Sequence, residues 1–495
     1  MNTIPKLLSK TKLLKGYQCL KNIYLTIHNP ELESPVTPDK QAIFDQGNRV
    51  GQKAREYFPG GTLVDFPPWD FVGSLSKTKE HISQGVEILY EAAFEYNGLY
   101  ARVDILKLSK ETGRWKMFEV KSTTKFKDEH IDDIGLQAWI VAKTGLPLEQ
   151  INLLHLNSEC TYPDLSNLFV SVDLTQQIRE IYPSILPKVS EILSSLKASD
   201  VPNIPIGPQC LSPYECGFKA HCWKDIPTPS VFDLPKINSK KWEFYNQAIV
   251  DLKDERISGL SDLPERALQV HRTQKRFVDS KAIQAVLSSW KFPLVFLDFE
   301  TINPAIPRYE GTHPYQQVPF QYSVHVLKEL DGEVEHQEFL HTDISDPRPA
   351  LIPKLIEDCG AEGVVVAYFA RFETDRMKEL SEFLPQYKQG LDSLIARAVD
   401  PLEIIRESVY DVGFNGSFSL KAVAPALLGK EASYDGMFVG DGSAAQRAYE
   451  EIIDQNTSEQ RKSELTQGIL EYCKKDTLVM VELVKWLFKQ VNTST

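Results

Sequence analysis

The stretch Leu294-Val-Phe-Leu-Asp298-Phe-Glu300-Thr301 constrains this chain most. Its apolar, β-branched and aromatic residues predict a buried strand, and the run ends in two carboxylates two residues apart. Strand side chains alternate faces, so Asp298 and Glu300 point the same way. Two acids on the floor of a sheet repel each other and resist desolvation unless a cation sits between them. Near the C-terminus, Tyr472-Cys-Lys-Lys-Asp476 lies in a helical pattern from Ile469 to Phe488. There the hydroxyl and the third carboxylate share one face at the i, i+4 spacing. Facing one another, these groups have the makings of a two-metal phosphodiester hydrolase.

Asp298-Phe-Glu300-Thr301 resembles the first motif of the DEDD (DnaQ-like) 3′→5′ exonucleases, and Tyr472-x-x-x-Asp476 the third motif of their tyrosine-bearing branch. The second motif matches best at Ala367-Tyr-Phe-Ala-Arg-Phe-Glu373, after the strand-like Gly363-Val-Val-Val-Ala367. Glu373 stands there where the family has Asp. Ser417-Phe-Ser-Leu-Lys421 resembles the segment with which that family lines its substrate groove. The resemblance covers roughly residues 290 to 490 and implies an RNase H-like fold, with Asp298, Glu300, Glu373 and Asp476 holding two Mg²⁺ or Mn²⁺ ions and Tyr472 orienting the attacking water.

The N-terminal half predicts a hairpin. Tyr100-Ala-Arg-Val-Asp104-Ile-Leu-Lys is one strand, Lys107 to Gly113 the turn, and Trp115-Lys-Met-Phe-Glu119-Val-Lys121-Ser122 the partner. Glu119 and Lys121 share a face, and Asp104 completes the cluster from the adjacent strand. Two carboxylates suit Mg²⁺ or Mn²⁺, and the lysine suits water activation and phosphate contact. The set resembles the PD-(D/E)xK nuclease motif, and Gln137, after Asp132 and Asp133, resembles the glutamine of the RecB-type subgroup. Val141 stands where that subgroup has tyrosine, and Gly51 where it has a metal-binding histidine, so Glu56 or water would have to replace an imidazole.

Of seven cysteines, Cys210, Cys216 and Cys222 recur every six residues, and Cys19 lies far upstream. Four thiolates suit a [4Fe–4S] cluster or zinc. Zinc sites more often use cysteine pairs two to four residues apart, which favours iron–sulfur. The pattern resembles the iron–sulfur clasp of some RecB-like nucleases, a structural tie between residue 19 and residue 222. His221 is an alternative ligand. Cys160, Cys359 and Cys473 are expected to be ordinary buried residues.

A chain of 495 residues with 42% apolar content is expected to hold several domains. The expected fold class is α/β: a PD-(D/E)xK restriction-endonuclease-like domain over 1–225, a Pro-rich linker and helical connector over 226–290, and an RNase H-like exonuclease domain over 291–495. An amphipathic helix is expected from Leu174 to Ala198. Apolar runs are too short to cross a bilayer and no signal peptide is evident, so the cytoplasm is the expected location. The net charge of −13 does not advertise nucleic-acid binding. Local basic groups remain: Lys6, Lys10, Lys12 and Lys15; Lys125 and Lys127; Arg272, Lys275 and Arg276. Between Ile306 and His325, aromatics, prolines and histidines suit either base stacking or packing on the sheet edge.

The whole arrangement resembles an uncharacterised bacterial family joining a RecB-like domain to a DnaQ-like one. The expected activity is metal-dependent hydrolysis of single-stranded or end-frayed DNA, with RNA as the alternative substrate. Two competing readings are a non-cleaving N-terminal clamp and a catalytically degenerate scaffold in repair or anti-phage defence.

Overall fold

The computed structural model describes residues 6–492. The chain is a mixed α/β protein that divides into two compact units. One runs to Asp225 and takes in Pro304–Arg308 and Thr312–Tyr315; the other comprises Ile226–Asn303, Tyr309–Gly311 and Gln316 onward.

In the first unit, a mixed sheet is built from β1 (Leu8–Ser9), β2 (Thr62–Leu63), β3 (Ile88–Tyr96), β4 (Leu99–Leu108), β5 (Trp115–Lys121), β6 (Leu148–Leu156) and β7 (Phe169–Asp173). Strands β2 to β7 lie side by side in chain order, with β1 paired in parallel to β4. Asn97-Gly98 closes the β3–β4 hairpin with positive φ at both residues (50° and 83°), the backbone a two-residue turn with the strands' own twist requires. The β4–β5 pairing is antiparallel and matches Ile105 with Phe118, so Asp104 falls beside Glu119. The helix Glu129–Lys143 then returns the chain to β6, parallel to β5. It buries Ile134, Leu136, Ala138, Trp139, Ile140 and Val141 with the apolar face of the helix Thr175–Leu196. That second helix lies within one or two residues of the span expected from its periodicity.

The second unit opens with helices Lys240–Asn246, Asp262–Thr273 and Ser280–Leu287, and with β8 (Phe277–Val278). Its main sheet comprises β9 (Leu294–Ile302), β10 (Val318–Leu327), β11 (Val334–Leu340), β12 (Val364–Val366) and β13 (Ala398–Val399), ordered β11-β10-β9-β12-β13. β14 (Val409–Tyr410) pairs with β8. The first three strands of the main sheet run antiparallel, and β12 and β13 join in parallel. Gly363 makes the β9–β12 pairing possible: its φ is +75°, and a Cβ there would lie 1.8 Å from the Pro293 carbonyl oxygen. The helix Glu459–Asn492 packs on β9 and β10. Gln321 donates to the Ile469 carbonyl (3.0 Å), and the Thr477 and Ser323 hydroxyls meet at 2.7 Å.

The aromatics between residues 306 and 325 are largely core. Phe320 and Tyr322 are fully buried; Phe320 stacks on Tyr449 at 3.9 Å, and Tyr322 donates to Asp358 at 2.7 Å. His325 is buried against Thr477 at 2.8 Å. These three residues belong to β10, an interior strand of the sheet, and neither to a stacking loop nor to a loop packed on the sheet edge. Among the described residues, no helix is long and apolar enough to cross a membrane.

Candidate active site

In the second unit the four acids singled out from the sequence converge. Asp298 and Glu300 project from β9 on one face, opposite Ser323 and Gln321 of β10. Glu373 comes from the first turn of the helix Arg371–Phe383, shortly after β12, and its carboxylate accepts the Phe299 backbone N–H. Asp476 comes from the long C-terminal helix. Glu300, Glu373, Tyr472 and Asp476 are each more than nine-tenths buried.

Close-packed carboxylates away from water hold their protons tightly. Burial, then repulsion from Asp476, lifts Asp298 well above the usual range. Burial, then Asp298 and Asp476, does the same to Glu300. Burial, then Asp298, with Glu300 further behind, does it to Glu373. Asp476 rises to about 6, mainly through burial, although hydrogen bonds from Tyr434 and Tyr472 and the charge of Lys421 hold it down. Glu373 Oε2 is buried with no hydrogen-bond partner. A divalent cation answers both problems, cancelling the repulsion and filling the orphaned lone pairs. The donor set therefore fits the expected ions.

Three neighbours complete the cluster in ways that sequence spacing did not specify. Tyr434 donates to Asp476 Oδ1 at 2.6 Å from 42 residues away, with no spacing to betray it. Lys421, expected along a groove, sits with its ammonium 4.9 Å from the Tyr472 ring centre and donates to the Gly440 carbonyl at 2.8 Å. Cys473 corrects an expectation: it is buried, but it is no ordinary core residue. Its thiol lies 3.8 Å from Asp298 Oδ2 and forms, with Asp298 and Glu300, a group whose ligand atoms lie within 4.8 Å of one another.

In the first unit Asp104, Glu119 and Lys121 also meet. Asp104 Oδ2 accepts the Val120 N–H at 2.7 Å. Lys121 donates to Glu119 Oε1 at 2.8 Å and to Asp133 Oδ2 at 2.5 Å. Lys10, expected to belong to a surface basic patch, instead reaches in from the start of the helix Lys10–Gln18. Its ammonium lies 2.8 Å from Glu119 Oε1 and 2.7 Å from Asp133 Oδ1. Burial works against both ammonium charges, but Asp133 and Glu119 outweigh it, and both lysines are raised. Burial, then Glu119 and Glu91, lifts Asp104 well above its ordinary value. Glu119 itself is lowered despite burial, because Lys10 and Lys121 outweigh the desolvation. Its Oε2 is buried without a hydrogen-bond partner, so an ion between Asp104 and that oxygen fits here too. Glu91, in left-handed backbone (φ 57°) inside β3, pairs with Arg55 at 2.9 Å. Gln137 is fully buried and its amide donates to the Arg102 carbonyl at 2.6 Å. Gly51 faces open space, and Glu56 pairs with Lys53 rather than with the acids.

Cys19, Cys210, Cys216 and Cys222 line one small cavity together with Lys21 and Lys219; His221 is not among the lining residues. Burial raises the Cys216 thiol to about 11. Three other residues of the expected basic patches are spent on structure. Arg272 donates to the Leu252 and Asp254 carbonyls, Arg276 pairs with Asp411 at 2.7 Å, and Lys15 pairs with Glu33 at 2.6 Å.

A family model described as a domain of unknown function (DUF2779) matches residues 295–419. That span includes Asp298, Glu300 and Glu373, and stops short of Lys421, Tyr472 and Asp476. The uncharacterized protein UU173 of Ureaplasma parvum serovar 3 is 23% identical over 223 residues. The alignment covers 40% of this chain and 31% of that protein, so the chain spans less than a third of the length of the relative it matches.

Proposed function

We propose that the chain is a metal-dependent nuclease whose principal site is the acid cluster of the second unit, acting as a 3′→5′ exonuclease on single-stranded or end-frayed DNA. The observation that carries the reading is the convergence of half-buried Asp298 with buried Glu300, Glu373 and Asp476, one carboxylate oxygen being left unpartnered. The order of the main sheet, three antiparallel strands followed by two parallel ones, supports an RNase H-like domain. The succession of helix, β3, β4, β5, helix and β6 supports a PD-(D/E)xK-like first unit.

Asp298, Glu300, Glu373 and Asp476 would hold two Mg²⁺ or Mn²⁺ ions. Such ions, when bound, make water a nucleophile near neutral pH and offset charge on the leaving oxygen. The chain's own residues prepare that chemistry. Tyr434 and Tyr472 orient the Asp476 carboxylate, and Tyr472 would steer a water toward the phosphorus. Lys421 offers a fixed positive charge beside the acids for a phosphate oxygen. In the first unit Asp104 and Glu119 would hold one ion, with Lys121 supporting the nucleophile. The four cysteines would hold a [4Fe–4S] cluster as a structural clasp.

The test uses 5′-labelled single-stranded DNA with Mn²⁺, comparing the wild type with Asp298→Ala. A ladder of shortening products, lost in the variant, is the expected result. Cleavage surviving in the variant would move the chemistry to Asp104, Glu119 and Lys121, and no cleavage by either protein would refute the nuclease reading.

A further inference from the structure

Lys10 has no place in the motifs that drew attention to the first unit, yet it is built into their centre. β1 pairs with β4 through Leu8↔Leu99 and Ser9↔Tyr100, which sets the chain beside the strand that carries Asp104. Ser9 caps the helix Lys10–Gln18 by accepting the Lys12 N–H, so Lys10 is the first helical residue. Immediately beyond that helix stands Cys19, one of the four clustered thiols. Both ends of a nine-residue helix are thereby anchored.

Two lysines and two carboxylates close a ring of ion pairs: Lys10 and Lys121 each reach both Glu119 and Asp133, at distances from 2.5 to 2.8 Å. Both ammoniums lie on the same oxygen of Glu119, Oε1. The other oxygen, Oε2, is left buried and unpartnered. A carboxylate held by two donors on one oxygen is restrained from swinging, and Glu119 lies beside Asp104 in the β4–β5 register. Asp133 balances the second ammonium, so the arrangement costs no unpaired buried charge.

We propose that Lys10 is a positioning residue of the N-terminal metal site: with Asp133 and Lys121 it locks Glu119 so that Oε2 is offered to a divalent ion shared with Asp104. This rests on the reading that the first unit binds such an ion. Lys10 supplies rigidity that the missing histidine at Gly51 does not, and it acts through Glu119 without touching the ion. Groups that orient a ligand in this way typically change metal affinity or activity about 10–100-fold when removed.

The experiment measures Mn²⁺ binding by electron paramagnetic resonance in full-length protein carrying Asp298→Asn and Asp476→Asn, which silence the second unit's acids. In that parent one Mn²⁺ is expected, lost on adding Glu119→Gln. Adding Lys10→Met is expected to weaken binding about 10–100-fold, and Lys10→Arg to restore most of it. Circular dichroism melting confirms that each variant is folded; if Lys10→Met is not, Lys10→Gln and Lys10→Arg carry the comparison. Unchanged affinity in a folded Lys10 variant would overturn the positioning role, and tighter binding would make Lys10 a competitor of the ion. A parent that binds no Mn²⁺ sensitive to Glu119→Gln would overturn the metal reading itself, a failure visible before Lys10 is altered.

Discussion

Replacing Asp476 by Asn is predicted to stabilise the metal-free protein while destroying its response to metal. In the folded chain the Asp476 carboxyl titrates near 6, against an ordinary 3.8, because burial penalises its charge by more than the Tyr434 and Tyr472 hydrogen bonds and the Lys421 charge relieve it. A carboxyl whose pKa is raised by folding costs nothing at low pH, where it is protonated in both states. The penalty grows as pH rises from its ordinary value through 6 and is constant above. That elevation corresponds to about 3 kcal/mol at pH 8, and to about half of that at pH 5. Asn keeps an acceptor for the Tyr434 hydroxyl, which donates at 2.6 Å, and carries no charge. The gain for Asp476→Asn should therefore reach up to about 3 kcal/mol at pH 8. At about 2–4 °C per kcal/mol for a unit of this size, the melting temperature rises by several degrees. Differential scanning calorimetry in EDTA at pH 5 and pH 8 measures it. Millimolar Mn²⁺ should then raise the melting temperature of the wild type but not of the variant. A variant no more stable than wild type at pH 8, or a gain that does not change with pH, would refute the account of Asp476 as a buried carboxylate whose charge awaits a cation.

Three further outcomes are expected. Gly363→Ala places a Cβ 1.8 Å from the Pro293 carbonyl oxygen at φ +75°; urea unfolding should show the second unit weakened by more than about 2 kcal/mol. Cys216→Ser should abolish the visible absorption of anaerobically purified protein and lower the melting temperature of the first unit. The loss should be up to roughly 4–5 kcal/mol on the entropic model of a cross-link closing a long loop. Glu373→Gln keeps the size of the side chain and the acceptor for the Phe299 N–H; isothermal titration calorimetry should show Mn²⁺ affinity in the second unit reduced by at least about tenfold.

What could be read in the chain follows the range of the physics involved. The shared face of Asp298 and Glu300 is a property of eight consecutive residues, since strand alternation needs no partner. The shared face of Tyr472 and Asp476 follows from helical pitch. The six-residue cysteine spacing, the β4–β5 hairpin with Asp104 beside Glu119, and the helix near residues 175–196 are equally local patterns.

Tertiary structure decided which groups meet those local patterns, and at what electrostatic cost. Lys10 reads as one lysine of a basic N-terminal run; only the β1–β4 pairing drives it into the acids 109 residues away. Cys473 reads as a small apolar filler, because nothing near it in the chain says that β9 will bring Asp298 against its sulfur. Tyr434 and Asp133 are likewise recruited by packing. Spacing along a chain encodes only contacts within a turn or a strand. The burial that lifts the four acids, the repulsion that adds to it at Asp298, Glu300 and Glu373, and the ion pairs that lock Glu119 join residues far apart in the chain, so their size is set by the assembled fold.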